Sequence, residues 1–192
     1  MGRPRHDDPG MSAKDRLVDA FWKMLAEMPY REITISGISH EANVSPNTLY
    51  YHFHGLLGIA CYAIENEVDD NIDIASFFTE ENRRETIFQL LEDPRNSLRY
   101  KRIKLIASSG SSQLTDILVQ TLKNIWCRFA GRPLEDLTKE EIIDLEFIYG
   151  GFIATIATQE TTNAEDLVNF LERPLAYGIK STLANLSGDK LP

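Results

Sequence analysis

Cysteine is scarce in this sequence: 192 residues hold two, Cys61 and Cys127. They lie far apart and form no metal or redox spacing. Both fall inside apolar helical patterns, which predicts buried, reduced thiols. No uninterrupted apolar run approaches the roughly 18 residues that a membrane span needs, so no membrane partner is expected. Residues 1–10 carry Arg3, Arg5, His6, Asp7 and Asp8 and no apolar stretch, which is not the pattern of a secretory signal. Met1-Gly2 is followed by His6, where a myristoylation motif wants Ser or Thr. A cytoplasmic protein is the expectation. Also missing are a metal-ligand cluster, a glycine-rich phosphate loop and a nucleophile–base motif. No catalytic residue, metal or cofactor is therefore assigned, and an enzyme is not expected.

Positive charge is short as well. The formal net charge is −9, with 43% hydrophobic and 26% charged residues, an ordinary globular balance apart from its sign. The deficit is uneven. Residues 1–58 hold six Lys/Arg against seven Asp/Glu, a net of −1, which leaves −8 for the rest. All four histidines (His6, His40, His52, His54) lie in that first segment. A near-neutral head on an acidic body permits nucleic-acid binding without the usual basic footprint.

What is present is helix after helix, punctuated by proline and glycine, with no clear alternating strand; the fold class is all-α. The first helix starts at Ser12, with Asp15 as an acidic partner three residues on. Leu17, Phe21, Met24, Leu25 and Met28 keep helical spacing until Pro29 stops it. Thr34 is the N-cap of a short second helix with Ile35, Ile38 and Ala42 on one face. Asn43 tolerates the left-handed conformation of a tight turn. Ser45-Pro46 then restarts a helix at once, Ser as cap and Pro at the first helical position. Two short helices so joined form a helix-turn-helix. A fourth helix, about 55–75, links the head at 12–58 to a body at 76–187, with residues 1–11 a flexible basic arm. Body helices break near Asp93-Pro94, Gly110, Gly131-Pro133 and Thr161-Asn163. Ser187 to Pro192 is a frayed tail.

On the third helix, Leu49 and Phe53 fall in one sector and anchor it inward. Asn47, Thr48 and Tyr51 face the other way, flanked by Tyr50 and His52. This surface is short, polar and aromatic, with no lysine or glutamate. It suits a duplex, where the start of such a helix reaches base edges and its flanks hold phosphates; packing of Tyr50, Tyr51 and His52 against a neighbouring helix is the plainer alternative. The run Ile33-Thr34-Ile35, Ile38 and Ala42 through Phe53 closely resembles the DNA-binding domain of the tetracycline-repressor (TetR) family. Ala20-Phe21, Leu25-Ala26-Glu27 and Tyr30 resemble the end of that family's first helix. The likeness covers about residues 12–65. It implies a homodimeric transcriptional regulator on double-stranded DNA, released from a palindromic operator by a small hydrophobic or amphipathic ligand. A same-fold regulator that answers to a protein partner, or activates without a ligand, stands beside it.

By that resemblance, Ser45, Pro46, Asn47 and Thr48 face bases and nearby phosphates. Tyr50 and His52 match backbone contacts, and Tyr51 a position touching a thymine methyl or sugar. Thr34 matches a cap that meets phosphate, and Arg3 and Arg5 a minor-groove arm, with a disordered start unrelated to DNA as the alternative for that arm. Two departures stand out. Gly55-Leu56-Leu57 replaces the family's usual lysine, and Asn43 replaces the commoner glycine. Fewer ionic contacts predict a shallow salt dependence, since each neutralised phosphate contributes about −0.9 to the log–log slope. The run Arg95, Arg99, Lys101, Arg102 and Lys104 either supplements them or is a solvated helix face.

In the body, Ile142 to Ala157 is apolar on more than one face, too much for a monomer's surface. Gly150, Ala154 and Thr158 give it a smooth stripe. A last helix from near Thr162, capped with Glu165, presents Leu167, Phe170, Leu171, Leu175, Ile179 and Leu183 and is expected to kink at Pro174. The resemblance implies that the final two helices form a four-helix dimer seam; Gly150, Phe152, Ala154, Thr158, Leu175 and Ile179 are its candidates. Completion of an intramolecular core is the alternative. For an effector, Phe78 (with Phe77), Tyr100, Trp126 and Tyr149 are candidate cavity-lining aromatics; ordinary core packing is the alternative for each.

Overall fold

Helix α1 (Ala13–Glu27) begins where Ser12 and Asp15 cap each other. The Asp15 N–H donates to Ser12 Oγ at 3.1 Å and the Ser12 N–H to Asp15 Oδ2 at 3.3 Å. Two donors that a helix start leaves orphaned are thereby satisfied. The structure, a computed structural model, describes residues 11–68, 88, 92–158 and 164–187. Leu17, Ala20, Phe21, Trp22 and Leu25 of α1 are buried, and the helix stops at Met28 ahead of Pro29. A 3₁₀ turn at Tyr30–Glu32 follows, a feature the apolar spacing did not announce. It buries Tyr30 with its ring edge-on to Phe21 at 6.4 Å.

Thr34 caps α2 (Ile35–Glu41) by accepting from the Gly37 N–H at 3.1 Å. The chain then reverses through Asn43, whose φ of 52° makes it the one left-handed non-glycine residue among those described. Asparagine bears that conformation at little cost because its short polar side chain bonds locally. Ser45 caps α3 (Pro46–His52), accepting from the Thr48 N–H at 3.1 Å, with Pro46 in the first turn. Helices α1, α2 and α3 pack on one another, and Arg16 Nε reaches the Ala42 carbonyl at 3.2 Å, fixing the turn to α1. Helix α4 (Leu56–Glu67) follows.

The chain divides into two compact units, Met1–Ala63 and Ile64–Pro192. In the second, Asp93 caps α5 (Pro94–Ser108) through the Arg95 N–H at 2.8 Å, and Pro94 sits at its first turn. Ser111 caps α6 (Ser112–Ala130), which ends on Gly131 at a φ of 64°, the left-handed stop that glycine takes without a steric penalty. A second 3₁₀ turn (Leu134–Asp136) leads to α7 (Lys139–Thr158). Helices α8 (Ala164–Leu171) and α9 (Pro174–Ser187) complete the unit. Helix α7 packs against α5, α6 and α9, around a core of Trp126, Leu145, Tyr149, Leu183 and Leu186.

One polar device organises that core's edge. Arg132 makes a paired bond to Glu141, Nη1 to Oε1 at 2.8 Å and Nη2 to Oε2 at 3.1 Å. It also reaches the carbonyls of Leu186 at 3.1 Å and Asp136 at 3.3 Å. Glu141 in turn closes a reciprocal cap with Thr138, accepting from its N–H at 2.8 Å and donating its own N–H to Thr138 Oγ1 at 3.2 Å. The Thr138-x-x-Glu141 spacing is a capping-box signature, legible in the sequence and overlooked there.

Two expectations need correction. The last helix does not run through a kink at Pro174: α8 ends at Leu171 and Pro174 opens α9. At a helix start the missing proline N–H costs nothing, whereas inside a helix it removes a bond and clashes with the preceding turn. Of the two thiols, Cys127 is buried but Cys61 is half-buried; both are free. The arm with Arg3 and Arg5, residues 69–75 of the linking helix, Phe77 and Phe78, the Thr161-Asn163 break and the tail beyond Ser187 lie outside the described residues. So do the side chains of Leu167 and Leu171.

Candidate nucleic-acid interface

Three backbone events put α3 on show. The Thr34 cap fixes where α2 begins, the left-handed Asn43 turns the chain in two residues, and the Ser45 cap starts α3 immediately. Seven residues are too few for a helix to hold by itself in water, so its position comes from what it buries. Leu49 is 0% exposed and Phe53 is buried at its C-cap, where the Phe53 N–H closes on the Leu49 carbonyl at 2.8 Å. The Phe53 ring lies 5.6 Å from that of Tyr62 on α4, and Lys14 Nζ stands 3.5 Å from the centre of the Tyr62 ring.

The opposite face is left to solvent. Tyr51 is 85% exposed and Tyr50 57%; Ser45, Pro46 and Asn47 are exposed, and Thr48 and His52 half-buried. Ser45 Oγ and Thr48 Oγ1 are 2.9 Å apart, so both hydroxyls sit at the helix start within reach of an incoming partner. The rings of Tyr51 and His52 meet edge to face at 5.0 Å. Thr34 is exposed at the start of α2. Packing of Tyr50 and Tyr51 into a neighbouring helix of this unit is therefore not what is observed. The basic run on α5 does not form one free face: Arg102 Nη1 lies 2.7 Å from the carboxylate of Glu67, with both side chains largely buried. Arg95 and Lys101 are exposed.

In the second unit, Gly150 and Ile179 are half-buried, and Ala154 and Thr158 are exposed. Phe152 and Leu175 are exposed large apolar residues. Other large apolar groups nearby, outside those candidates, are exposed too: Ile143 at 62%, Phe147 at 79% and Tyr177 at 57%. Ile143, Phe147, Gly150, Ala154 and Thr158 share one face of α7 at spacings of three and four, opposite the core-facing Leu145, Tyr149, Ile153 and Ile156. That period was present in the sequence. It was blurred because α7 is apolar on both faces.

Of the aromatic candidates for an effector site, Tyr100 is half-buried on α5. Trp126 and Tyr149 are both in the core cluster. Trp126 Nε1 and the Tyr149 hydroxyl are buried without a hydrogen-bond partner. Burial pushes the Tyr149 phenol well above its ordinary range, with Cys127 adding a smaller push in the same direction. Burial likewise raises the Cys127 thiol. Both are thus neutral donors at physiological pH. Among the described residues no group of three His, Cys, Asp or Glu side chains is placed to hold a metal, and no helix is long and apolar enough to cross a membrane.

No family model and no curated protein matches the sequence. Among solved structures, the chain is similar to the crystal structure of the TetR family repressor AlkX from Dietzia sp. strain DQ12-45-1b, implicated in biodegradation of n-alkanes. The identity is 15%, the match spans 92% of this chain and 98% of that one, and the TM-score is 0.45.

Proposed function

We propose that this chain is a dimeric transcriptional regulator of the TetR type, whose α3 enters the major groove of a duplex. The observation that carries the reading is the division of α3 into a sealed side and a bare one. Leu49 and Phe53 lock it from beneath while Asn47, Tyr50 and Tyr51 stand in solvent. A monomeric core helix has no reason to leave two consecutive tyrosines bare, because each forfeits a large area of apolar burial. Ser45, Pro46, Asn47 and Thr48 face bases and adjoining phosphates, Tyr50, His52 and Thr34 hold the backbone, and Tyr51 meets a thymine methyl or sugar. Arg3 and Arg5 are assigned to the minor groove.

A second copy covers the exposed apolar face of α7 and the outward residues Leu175 and Tyr177 of α9. Dimerisation sets two recognition helices about 34–36 Å apart, one turn of DNA. The effector site is assigned to Trp126 and Tyr149, where two buried donors lack an acceptor in an apolar cluster. An apolar molecule carrying one carbonyl or carboxylate satisfies them, since an unpaired buried donor costs roughly 1–3 kcal/mol. Release of the duplex on effector binding makes the protein a repressor.

Selection of bound sequences from a random duplex pool tests the reading. Recovery of inverted half-sites about one helical turn apart is the expected result. Recovery of no enriched sequence, or of a single unrepeated half-site, overturns it.

A further inference from the structure

Helices α6 and α7 run antiparallel, because the contacts Lys123–Glu146 and Arg132–Glu141 close toward the turn that joins them. One layer of that pair is crowded with hydrogen-bond donors. Lys123 Nζ lies 3.1 Å from Glu146 Oε1, with 9% of its side chain exposed against 54% for Glu146. Trp126 stands three residues beyond Lys123 on α6, and Tyr149 three beyond Glu146 on α7. A helical side chain leans over the turn N-terminal to its own Cα. The Trp126 indole therefore leans back over Lys123, and the Tyr149 ring back over Glu146. The ion pair holds those two turns level, and both rings belong to one buried cluster. Trp126 and Tyr149 are 1% and 7% exposed, and neither polar atom has a hydrogen-bond partner among the described residues.

Acceptors are what this layer lacks. A lysine ammonium carries three N–H donors and no acceptor, and among the described residues only Glu146 answers it. The indole N–H and the phenol O–H add two more donors. Cys127, on the next position after Trp126, is a thiol that burial keeps neutral. The other cation near Cys127, Arg132, is committed to Glu141 and to two backbone carbonyls.

We infer that the effector of this site is an organic acid, whose carboxylate takes the place of Glu146 on the Lys123 ammonium and accepts from Trp126 and Tyr149. Its apolar body lies among Leu145, Leu183 and Leu186 of the same cluster. The inference rests on the effector site assigned to Trp126 and Tyr149 and names the class of its occupant. A carboxylate accepts at both oxygens, with about four lone-pair sites, and it brings the negative charge that a buried ammonium requires. An amide or alcohol of the same shape carries donor hydrogens into a layer already rich in them, and it leaves Lys123 on Glu146. Exchange is open because the Glu146 side chain is more than half exposed; once displaced, its carboxylate passes to water. Lys123 is thus the residue that sets specificity, and Glu146 is an internal competitor.

The test is isothermal titration calorimetry of the full chain at neutral pH with octanoate, octanamide and 1-octanol, three molecules of one length that differ at the head. Octanoate should bind at least about tenfold more tightly than the other two, the scale of a hydrogen bond to a charged group. Lys123→Met should erase that preference and leave octanamide affinity unchanged. Glu146→Gln should raise octanoate affinity by roughly two- to fivefold, the scale of a partly exposed ion pair. Where Lys123→Met does not fold, Glu146→Gln decides alone, since its side chain faces solvent. Tyr149→Phe should weaken octanoate binding. Equal wild-type affinity for octanoate and octanamide, a preference that survives Lys123→Met, or a Glu146→Gln variant that binds octanoate no better overturns the proposal and leaves the effector site standing. Binding of none of the three, or octanoate binding that Tyr149→Phe does not change, defeats the effector-site reading itself.

Discussion

Leu49 and Tyr51 sit two residues apart on one short helix and should respond to truncation in opposite ways. Leu49 has no exposed surface, so Leu49→Ala removes a fully packed side chain and leaves a cavity, at a cost of roughly 2–5 kcal/mol. A unit of 63 residues has a total stability of roughly 3–9 kcal/mol at ordinary per-residue values. The substitution therefore removes a large share of it. Tyr51 is 85% exposed, and Tyr51→Ala should alter stability by less than about 0.5 kcal/mol. Its effect belongs to binding: a lost base-edge or stacking contact of about 1–3 kcal/mol weakens duplex affinity by roughly five- to 150-fold. Urea denaturation followed by circular dichroism measures the first quantity, and anisotropy with a selected duplex the second. Should Tyr51→Ala destabilise the fold as Leu49→Ala does, or bind duplex as tightly as the wild type, the assignment of faces on α3 is wrong.

Phe147→Asp places a charge on the most exposed part of the α7 apolar face and should shift sedimentation from dimer to monomer by at least about tenfold in dissociation constant, with an unchanged protomer melt. A variant that stays dimeric removes α7 from the seam. Glu141→Gln should cost roughly 1 kcal/mol at neutral pH, the scale of a well-formed, partly exposed ion pair. The Arg132 guanidinium first, and then the Thr138 N–H, hold the Glu141 carboxyl down from an ordinary 4.5 to about 2. A depressed acid stabilises the fold above its unfolded value and ceases to as pH falls. The gap between wild type and variant in urea titrations should thus close between about pH 4.5 and about pH 2, and a gap independent of pH rejects the pair's role. Asn43→Val forces a β-branched residue into a φ of 52° and should cost at least about 1–2 kcal/mol in thermal melts, whereas Asn43→Gly should not; equal melts for the two would deny the left-handed turn.

The head was legible because its determinants are local. Ser12, Thr34 and Ser45 each cap the helix that begins one residue later, and a cap needs only neighbours three residues on. Asn43 announces its turn by residue type alone. The body was harder for a physical reason. Helix α7 carries apolar groups on both sides, so periodicity cannot say which side meets the protomer's own core and which is left bare. Pro174 was ambiguous between a kink and a start until the end of α8 at Leu171 was known. The pairings of Arg102 with Glu67 and of Arg132 with Leu186 span 35 and 54 residues, and no local pattern encodes such distances. Nor does sequence reveal that Trp126 and Tyr149 are buried with unpaired polar atoms.

The scarcity of fixed positive charge bears on selectivity under the proposed function. Sequence-independent attraction to a duplex is almost wholly the work of cations on phosphate, and a chain of net charge −9 has little of it to offer. Binding to arbitrary DNA should accordingly be weak. The contacts that remain are those of Asn47, Thr48 and Tyr51 with base edges, which are specific by nature. A regulator built this way reaches a useful ratio of specific to non-specific affinity by lowering the second term. Replacing His54, exposed in the bend after α3, with lysine would add a permanent positive charge there. It should strengthen binding to selected and random duplexes alike at pH 8, and so narrow the ratio between them; a ratio that widened would show that position 54 reads sequence and not backbone.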